Sequence, residues 1–214
     1  MNNSAFPRMS HVFNKISRFV FCIFCLNVCN SSFAQHPVGI FENSVDIGNP
    51  KLTGSASYDE ASQTYSLSGA GSNIWFNRDE FHFVYKKLKG DFTLTADFAF
   101  TGDTVGAVGH RKIGWMIRES ADEGAASANS CIHIDGLVVL QWRTYKGMFM
   151  RDPEEERFYP KKGGQTVQLE RIGKTITMRI AHPGEPLQFV GSYETDVLNG
   201  EVLAGIYILS HDSK

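Results

Sequence analysis

Hydrophobic and polar positions alternate along much of the chain. One side of the segment DFTLTADFAF is apolar and comprises Phe92, Leu94, Ala96, Phe98 and Phe100. The segments FHFVYKKL (81–88) and TITMRIA (175–181) alternate in the same way. A period of two places every second side chain on one face of a strand. The pattern therefore predicts half-buried β-strands, with Ile176, Met178 and Ile180 pointing inward.

Three other segments are apolar on both faces: IGWMI (113–117), GLVVLQW (136–142) and LAGIYIL (203–209). Such segments are typical of strands in the middle of packed sheets. Breaks rich in glycine, asparagine and aspartate separate the segments, and no stretch has a helical period. About ten strands without helices predict an all-β fold, a two-sheet antiparallel β-sandwich or jelly roll. A closed barrel is the alternative.

The first 34 residues have the pattern of a secretory signal peptide. They contain three basic residues and no acidic one, then the apolar run FVFCIFCLNV, then small residues up to Ala34. This order predicts cleavage after Ala34 and one domain over residues 35–214. The apolar run is shorter than the roughly 20 residues that cross a bilayer, so no membrane span is expected after cleavage. We expect an exported protein, periplasmic or extracellular.

The net charge of the chain bears on its binding partners, and its cysteine content bears on disulfide formation. Removing the leader removes three of 21 basic residues and none of 23 acidic ones, which leaves a formal charge of −5. This mild acidity argues against nucleic acid as a partner. Cys131 is the single cysteine after Ala34, so no intramolecular disulfide can form. Its apolar context, CIHI, predicts a small buried side chain.

Several segments together resemble a known domain family. They are DIGNPKLTGSASYDEASQTYSLSGAGSNIW, DEFHFVYKKLKGDFTLTADF, IGWMIRES, LVVLQWRTYKG, VQLERIGKTITMRIA, FVGSYE and AGIYILSHDS. The chain resembles secreted bacterial domains of the concanavalin A-like lectin/glucanase fold. Some members of that family precede TolB-like propellers and are labelled biopolymer transporters. The resemblance implies a concanavalin A-like jelly roll, but this fold carries lectins, glucanases and interaction domains alike.

The C-terminus adds a further expectation. Related domains continue past the SHDS turn into a last strand, and this chain stops at Lys214. The resemblance therefore implies a C-terminally truncated domain that lacks its last strand, with a propeller domain in a longer parent protein; the alternative is a domain that stands alone with an exposed sheet edge.

Catalytic motifs are absent from the sequence. The resemblance to glucanases would imply two glutamates around an aspartate at alternate strand positions, and no Glu-x-Asp-x-Glu occurs. Glu154 and Glu156 have suitable spacing but follow Pro153 in a loop-like run. Nucleophile elbows and metalloprotease motifs are missing as well. A non-catalytic domain is favoured, with a glycoside hydrolase relative as the alternative. The segment GAVGHRK (106–112) is interpreted as a polar loop, with an anion site as the second interpretation.

Carbohydrate binding requires an aromatic face and planar polar groups. Trp115 and Trp142 lie in predicted strands, where a tryptophan is more often a core residue than a surface on which a sugar stacks. Strand alternation places polar side chains opposite the core, and a concave, partly solvated strip is expected there. The predicted ligand-binding set is Arg118, Gln141, Arg143, His133 and, at the rim, Trp75.

The expected ligand is a glycan or another cell-envelope polymer. A structural domain that packs on a missing propeller is the remaining alternative. No cofactor is predicted. Calcium occurs in some proteins of similar fold, but no calcium loop is recognisable from the spacing here.

Overall fold

The computed structural model describes residues 37–102, 109–150 and 154–212. The predicted leader, residues 1–34, lies outside these ranges. Within them the chain forms thirteen strands and no helix. The strands are β1 (Asn43–Ile47), β2 (Ser55–Asp59), β3 (Thr64–Ser68), β4 (Phe81–Leu88), β5 (Phe92–Asp97), β6 (Lys112–Arg118), β7 (Ser127–His133), β8 (Val138–Arg143), β9 (Glu156–Phe158), β10 (Thr166–Ile172), β11 (Thr175–Ala181), β12 (Gln188–Glu194) and β13 (Val202–Leu209). In the described part of the chain, no helix long and apolar enough to cross a membrane is found.

The strands form three antiparallel sheets. The largest has seven strands in the order β1-β4-β13-β6-β7-β8-β9, and the second has four in the order β12-β11-β10-β5. A hairpin of β2 and β3 forms the third. The first two sheets pack face to face, which confirms the predicted all-β class and its antiparallel sandwich. Both large sheets are open, unlike the closed barrel that was the alternative.

The main core lies between the seven-stranded and four-stranded sheets. The large sheet contributes Trp115 and Trp142, and the smaller one contributes Leu169 and Met178. Trp115 Nε1 donates a hydrogen bond across the interface to the Val167 carbonyl oxygen at 3.1 Å. Both strand tryptophans are thus core residues, as expected for aromatic side chains in a sandwich.

The opposite face of the seven-stranded sheet, called the second face here, is also covered. Met116 and Tyr207 are fully buried there. They belong to a second apolar cluster that comprises Ile47, Ile74, Phe81, Phe83, Tyr85, Met116, Met150, Leu203, Tyr207 and Leu209. Residues 72–80 and 144–150 contribute to this cover. The large sheet is therefore buried on both faces, where the sequence predicts a partly solvated second face.

Most strand patterns agree with the prediction. β5 alternates between half-buried and exposed residues, and Ile176, Met178 and Ile180 on β11 are completely buried. The three segments predicted to be apolar on both faces become β6, β8 and β13, all inside the large sheet. β4 differs, because it is buried on both faces over Phe81–Tyr85, although its sequence alternates. Val84 packs in the main core on one face, and Phe81, Phe83 and Tyr85 pack in the second apolar cluster on the other, which explains the burial.

Candidate functional site

Arg118, Gln141 and Arg143 lie on the second face, as strand alternation predicts. Arg118 pairs with Ser127 of β7, and Ser127 pairs with Arg143 of β8, so the two arginines share one row across the sheet. Gln141 lies in the next row, opposite Asn129. The expected solvation of this strip is absent: the exposed fraction is 0% for both arginines and 3% for Gln141. A ligand-binding role for these residues stays a prediction, one that requires the covering loops to open.

Asp79 joins the two arginines. Arg143 donates from Nη2 to Asp79 Oδ1 at 2.6 Å and from Nη1 to Oδ2 at 2.7 Å, which is a bidentate contact. Arg118 Nη1 donates to the same Oδ2 at 3.0 Å. All three side chains are fully buried. Burial lowers the pKa of Arg118, and the negative charge of Asp79 opposes that effect. One carboxylate therefore compensates two buried guanidinium groups.

The remaining donors of both arginines attach the covering loops to the sheet. Arg143 donates to the carbonyl oxygens of Phe76, Ala125 and Met148 at 2.7, 3.2 and 3.0 Å. Arg118 donates from Nε to the Ser120 carbonyl oxygen at 2.8 Å and from Nη2 to that of Asp122. Each guanidinium thus donates hydrogen bonds to backbone carbonyl oxygens of the loops. The cluster of Asp79, Arg118 and Arg143 holds three loops in place.

Gln141 and its neighbours form the middle of the same face. Gln141 Nε2 donates to Glu156 Oε1, and Tyr207 donates its hydroxyl proton to Asn129 Oδ1 at 3.1 Å. Gln141 Oε1, Asn129 Nδ2 and Ser127 Oγ are buried and have no hydrogen-bond partner among the described residues. These groups lie under the cover of the loops, away from any open surface.

His133 lies at the far end of this face from the arginines. It pairs with Lys112, six residues before Arg118 on β6, which corresponds to about 20 Å along the strand. Its Nδ1 lies 3.3 Å from the Leu137 carbonyl oxygen, and its ring meets that of His110 edge to face at 5.4 Å. Burial, together with the charge of Lys112, lowers the pKa of His133 to about 4. With this pKa the imidazole of His133 is neutral at pH 7, and it lies remote from Arg118 and Arg143; a ligand-binding role for His133 stays a prediction.

Trp75 is half-buried and packs against the second apolar cluster. Its carbonyl oxygen accepts a hydrogen bond from the Met150 N–H at 3.0 Å, which joins two covering loops. Neighbouring rings are more accessible: Phe76 is 52% and Phe149 55% exposed, and the two meet edge to face at 6.3 Å. Trp75 supports these loops, and its ring is less available for stacking than those two phenylalanines.

The described residues show an open concave site elsewhere, between the hairpin and the four-stranded sheet. This cleft, called the β3–β5 cleft, has a volume of about 890 Å³. β3 lines one side, and β5 with residues 98–101 lines the other. Ile113, Ile206 and Ile208 of the large sheet also line it. A volume of this size is within the range of small-molecule and oligomer sites, roughly 300–1,000 Å³.

Both sides of the cleft are strand edges. Each of β3 and β5 ends its sheet and pairs with one neighbour among the described strands. The N–H of Phe98 donates to the Gln165 carbonyl oxygen at 2.9 Å. Because antiparallel pairing alternates, the backbone groups of Thr95 and Asp97 are directed away from β10, toward the cleft. The cleft therefore offers backbone donors and acceptors as well as side chains.

Aromatic residues of the cleft are held in fixed positions. The hydroxyl of Tyr65 accepts a hydrogen bond from the Ile40 N–H at 2.9 Å, and its ring lies 4.4 Å from that of Tyr58. Phe98 packs edge to face on Trp115 at 5.5 Å between ring centres. These contacts leave the rings little rotational freedom. Phe100 is the half-buried aromatic next to them.

The sequence missed Asp79 and the cleft for different reasons. Asp79 follows Arg78 in a polar loop and has no local signal of burial, because its partners are 39 and 64 residues away. The cleft depends on where the β2–β3 hairpin stops relative to β5, which no periodicity records. Among the described residues, no group of three or more histidine, cysteine, aspartate or glutamate side chains is placed to hold a metal ion.

Comparisons with known proteins give a fold and no activity. No protein-family model matches the chain, and no curated protein matches it. A solved structure described as a functionally unknown protein from Saccharomyces cerevisiae is similar, with a TM-score of 0.55 and 14% sequence identity. The similarity covers 79% of this chain and 88% of the yeast chain. At this identity the likeness concerns the β-fold alone.

Proposed function

We propose that this chain is an exported, non-catalytic recognition module that binds an extended glycan in the β3–β5 cleft. The observation that carries the proposal is the cleft itself, an open site of about 890 Å³ lined by both aromatic and polar residues. The predicted signal peptide and the resemblance to concanavalin A-like domains support the export and the class of ligand. The mature domain would begin at Gln35.

The lining of the cleft suits the two surfaces of a sugar. Rings such as those of Tyr65 and Phe100 can pack against the apolar C–H face. Gln63, Thr95 and Arg111 also line the cleft and supply groups that can hydrogen-bond hydroxyls. A lining of this kind, with both aromatic and polar groups, suits a ligand that has both apolar and polar surfaces.

Rigidity of the walls supports affinity. Tyr65 is fixed by its hydrogen bond to Ile40 and by ring contacts with Tyr58 and Phe41. A ligand that binds beside a side chain already held in place does not have to order it, which lowers the entropic cost of binding. The cleft is open, so it suits a chain-like ligand whose two ends need not be enclosed.

The test is a glycan array followed by calorimetry on the purified protein. Phe100→Ala removes a ring of the cleft and is expected to weaken binding about tenfold, the loss typical of one aromatic contact and its apolar area. Phe189→Ala is the matched control, because Phe189 lies on β12 outside the cleft and is 62% exposed. Equal affinity of the Phe100 variant and the control would contradict the proposed site.

The same glycan panel separates binding from hydrolysis. Release of new reducing ends, lost in Glu119→Gln, would favour the hydrolase alternative over the proposed function. Glu119 is exposed directly after β6, whereas its neighbour Arg118 is buried. If the protein only binds, reducing-end assays stay at background for every glycan that the array detects.

A further inference from the structure

We infer that Arg111 makes the β3–β5 cleft selective for glycans that carry carboxylate groups, the uronic acid polymers. This inference rests on the proposed function, because it names the class of ligand for the same cleft. The supporting observations are the position of Arg111, an unpaired buried nitrogen in its side chain, and the absence of an ion pair between Arg111 and any described residue of the cleft lining.

The basic run His110-Arg111-Lys112 divides between the two faces of the large sheet. Lys112 begins β6 and lies on the second face, where its Nζ donates to Asn73 Oδ1 at 2.9 Å. Because successive strand residues point to opposite sides, Arg111 lies on the same side as Ile113. Arg111 and Ile113 both line the cleft. One cation of the run is therefore available to a ligand in the cleft.

The guanidinium of Arg111 is incompletely paired. Its Nε is buried and has no hydrogen-bond partner in the part of the chain that the structure describes. Leaving a buried donor of a charged group unpaired is costly, and native structures rarely do so without a reason. Gln141 and Asn129 have unpaired atoms too, but those lie beneath the loops of the second face. Arg111 differs because it lines an open cleft.

Among the described residues of the lining, no carboxylate forms an ion pair with Arg111. Arg111 and Asp97 are the charged residues among the described ones that line the cleft. The carboxylate of Asp97 makes no ion pair with Arg111: Oδ1 accepts a hydrogen bond from Thr166 Oγ1 at 2.5 Å and Oδ2 accepts one from Gln165 Nε2 at 3.0 Å. An anion on the ligand would therefore supply the counter-charge in contact with Arg111 that no described residue of the lining provides.

Arginine geometry points to a carboxylate. The planar guanidinium presents two parallel N–H groups, which match the two oxygens of a carboxylate. Glycans carry carboxylates on uronic acids, where the group stands beside the apolar C–H face that an aromatic ring contacts. A single uronic acid residue could thus use both Arg111 and the aromatic lining of the cleft. A sulfate ester on a glycan presents a similar negative charge, so the experiment must distinguish sulfated from carboxylated glycans.

The experiment uses calorimetry with four oligosaccharides of equal length: a uronic acid oligomer, its carboxyl-reduced derivative, a neutral oligomer and a sulfated one. Arg111→Gln is expected to weaken binding of the uronic acid oligomer roughly 10- to 100-fold, the loss typical of hydrogen bonds to a charged group. Arg111→Lys keeps the positive charge but loses the bidentate geometry, so its affinity is expected to lie between those of wild type and Arg111→Gln. Arg179→Gln removes an arginine on β11, outside the cleft lining, and is expected to leave affinity unchanged.

The outcomes distinguish this inference from the function on which it rests. Binding of neutral and carboxyl-reduced oligomers as tightly as the uronic acid oligomer would overturn the selectivity and retain the glycan-binding function. Tighter binding of the sulfated oligomer than of the carboxylated one would overturn the assignment to carboxylate. No binding of any oligomer would overturn both. Thermal melts of each variant, matched to wild type, exclude loss of folding as the cause.

Discussion

Replacement of Asp79 by asparagine tests what holds the covering loops on the second face. The substitution keeps the size and shape of the side chain and removes its charge. Arg118 and Arg143 would then share no carboxylate, and one of the oxygen acceptors would become an amide donor facing two guanidinium groups. Three hydrogen bonds of 2.6 to 3.0 Å end on Asp79, so each would be weakened or lost.

The expected loss of stability is large. All three side chains are fully buried, and removing one member of a buried ion pair typically costs about 3–5 kcal/mol, because the other charge stays buried and unpaired. A domain of this size has about 5–15 kcal/mol of stability in total. At roughly 2–4 °C per kcal/mol, the melting temperature of Asp79→Asn should fall by about 6–20 °C.

Urea unfolding monitored by tryptophan fluorescence measures this loss, because Trp115 and Trp142 lie in the core and Trp75 lies in a covering loop. Asp196→Asn is the control, since Asp196 is 77% exposed in a surface ion pair with Lys174. Such exposed pairs contribute little, so the control should unfold at nearly the wild-type urea concentration. A loss below about 1 kcal/mol in Asp79→Asn would refute the anchoring role of the cluster.

Two further predictions concern buried titratable groups. Cys131 is completely buried, and this burial raises its pKa to about 11. The thiol of the native protein should therefore resist a thiol reagent at pH 8 and react fully after denaturation. A fast reaction of the native protein would contradict the buried position. The pKa of His133 is lowered to about 4 in the folded protein, from a value near 6.5 in the unfolded chain. Between these two pH values the unfolded chain binds more protons than the folded protein. The free energy of unfolding should therefore fall as the pH decreases from about 6.5 to about 4. His133→Gln should remove up to about 3 kcal/mol of this pH dependence in urea titrations, and an unchanged slope would show that another group is responsible.

Strand positions could be predicted from the sequence where one face is solvated and also where both faces are apolar, as in β6, β8 and β13. The alternation in β5 and β11 follows directly from the sandwich, because polar residues occupy the outer face. The strand β4 shows the limit of this reasoning. His82 interrupts its apolar residues as a solvent-facing residue would, yet it is buried, because Asp46 and Ser44 contact its ring nitrogens at 2.8 and 3.0 Å. Partners 36 and 38 residues away cannot be inferred from a local pattern.

The polar strip shows the same limit at the level of a site. Alternation correctly placed Arg118, Gln141 and Arg143 on one face, opposite the main core. It could not show that Asp79 and the loops would cover them, and mid-strand charges usually indicate solvent. The opposite is true of Arg111. It lies in a basic run just before a strand, where the sequence predicts a polar loop, and the fold brings it into the lining of an open cleft.

The most direct test of the glycan-binding cleft is a ¹H–¹⁵N NMR titration of the protein with a uronic acid oligosaccharide. Binding in the cleft is expected to shift the resonances of the Arg111 Nε–H, of β3 and of residues 95–101. These changes should weaken when salt screens the charge of Arg111. Shift changes confined to the second face around Arg143, or none at saturating ligand, would contradict the account.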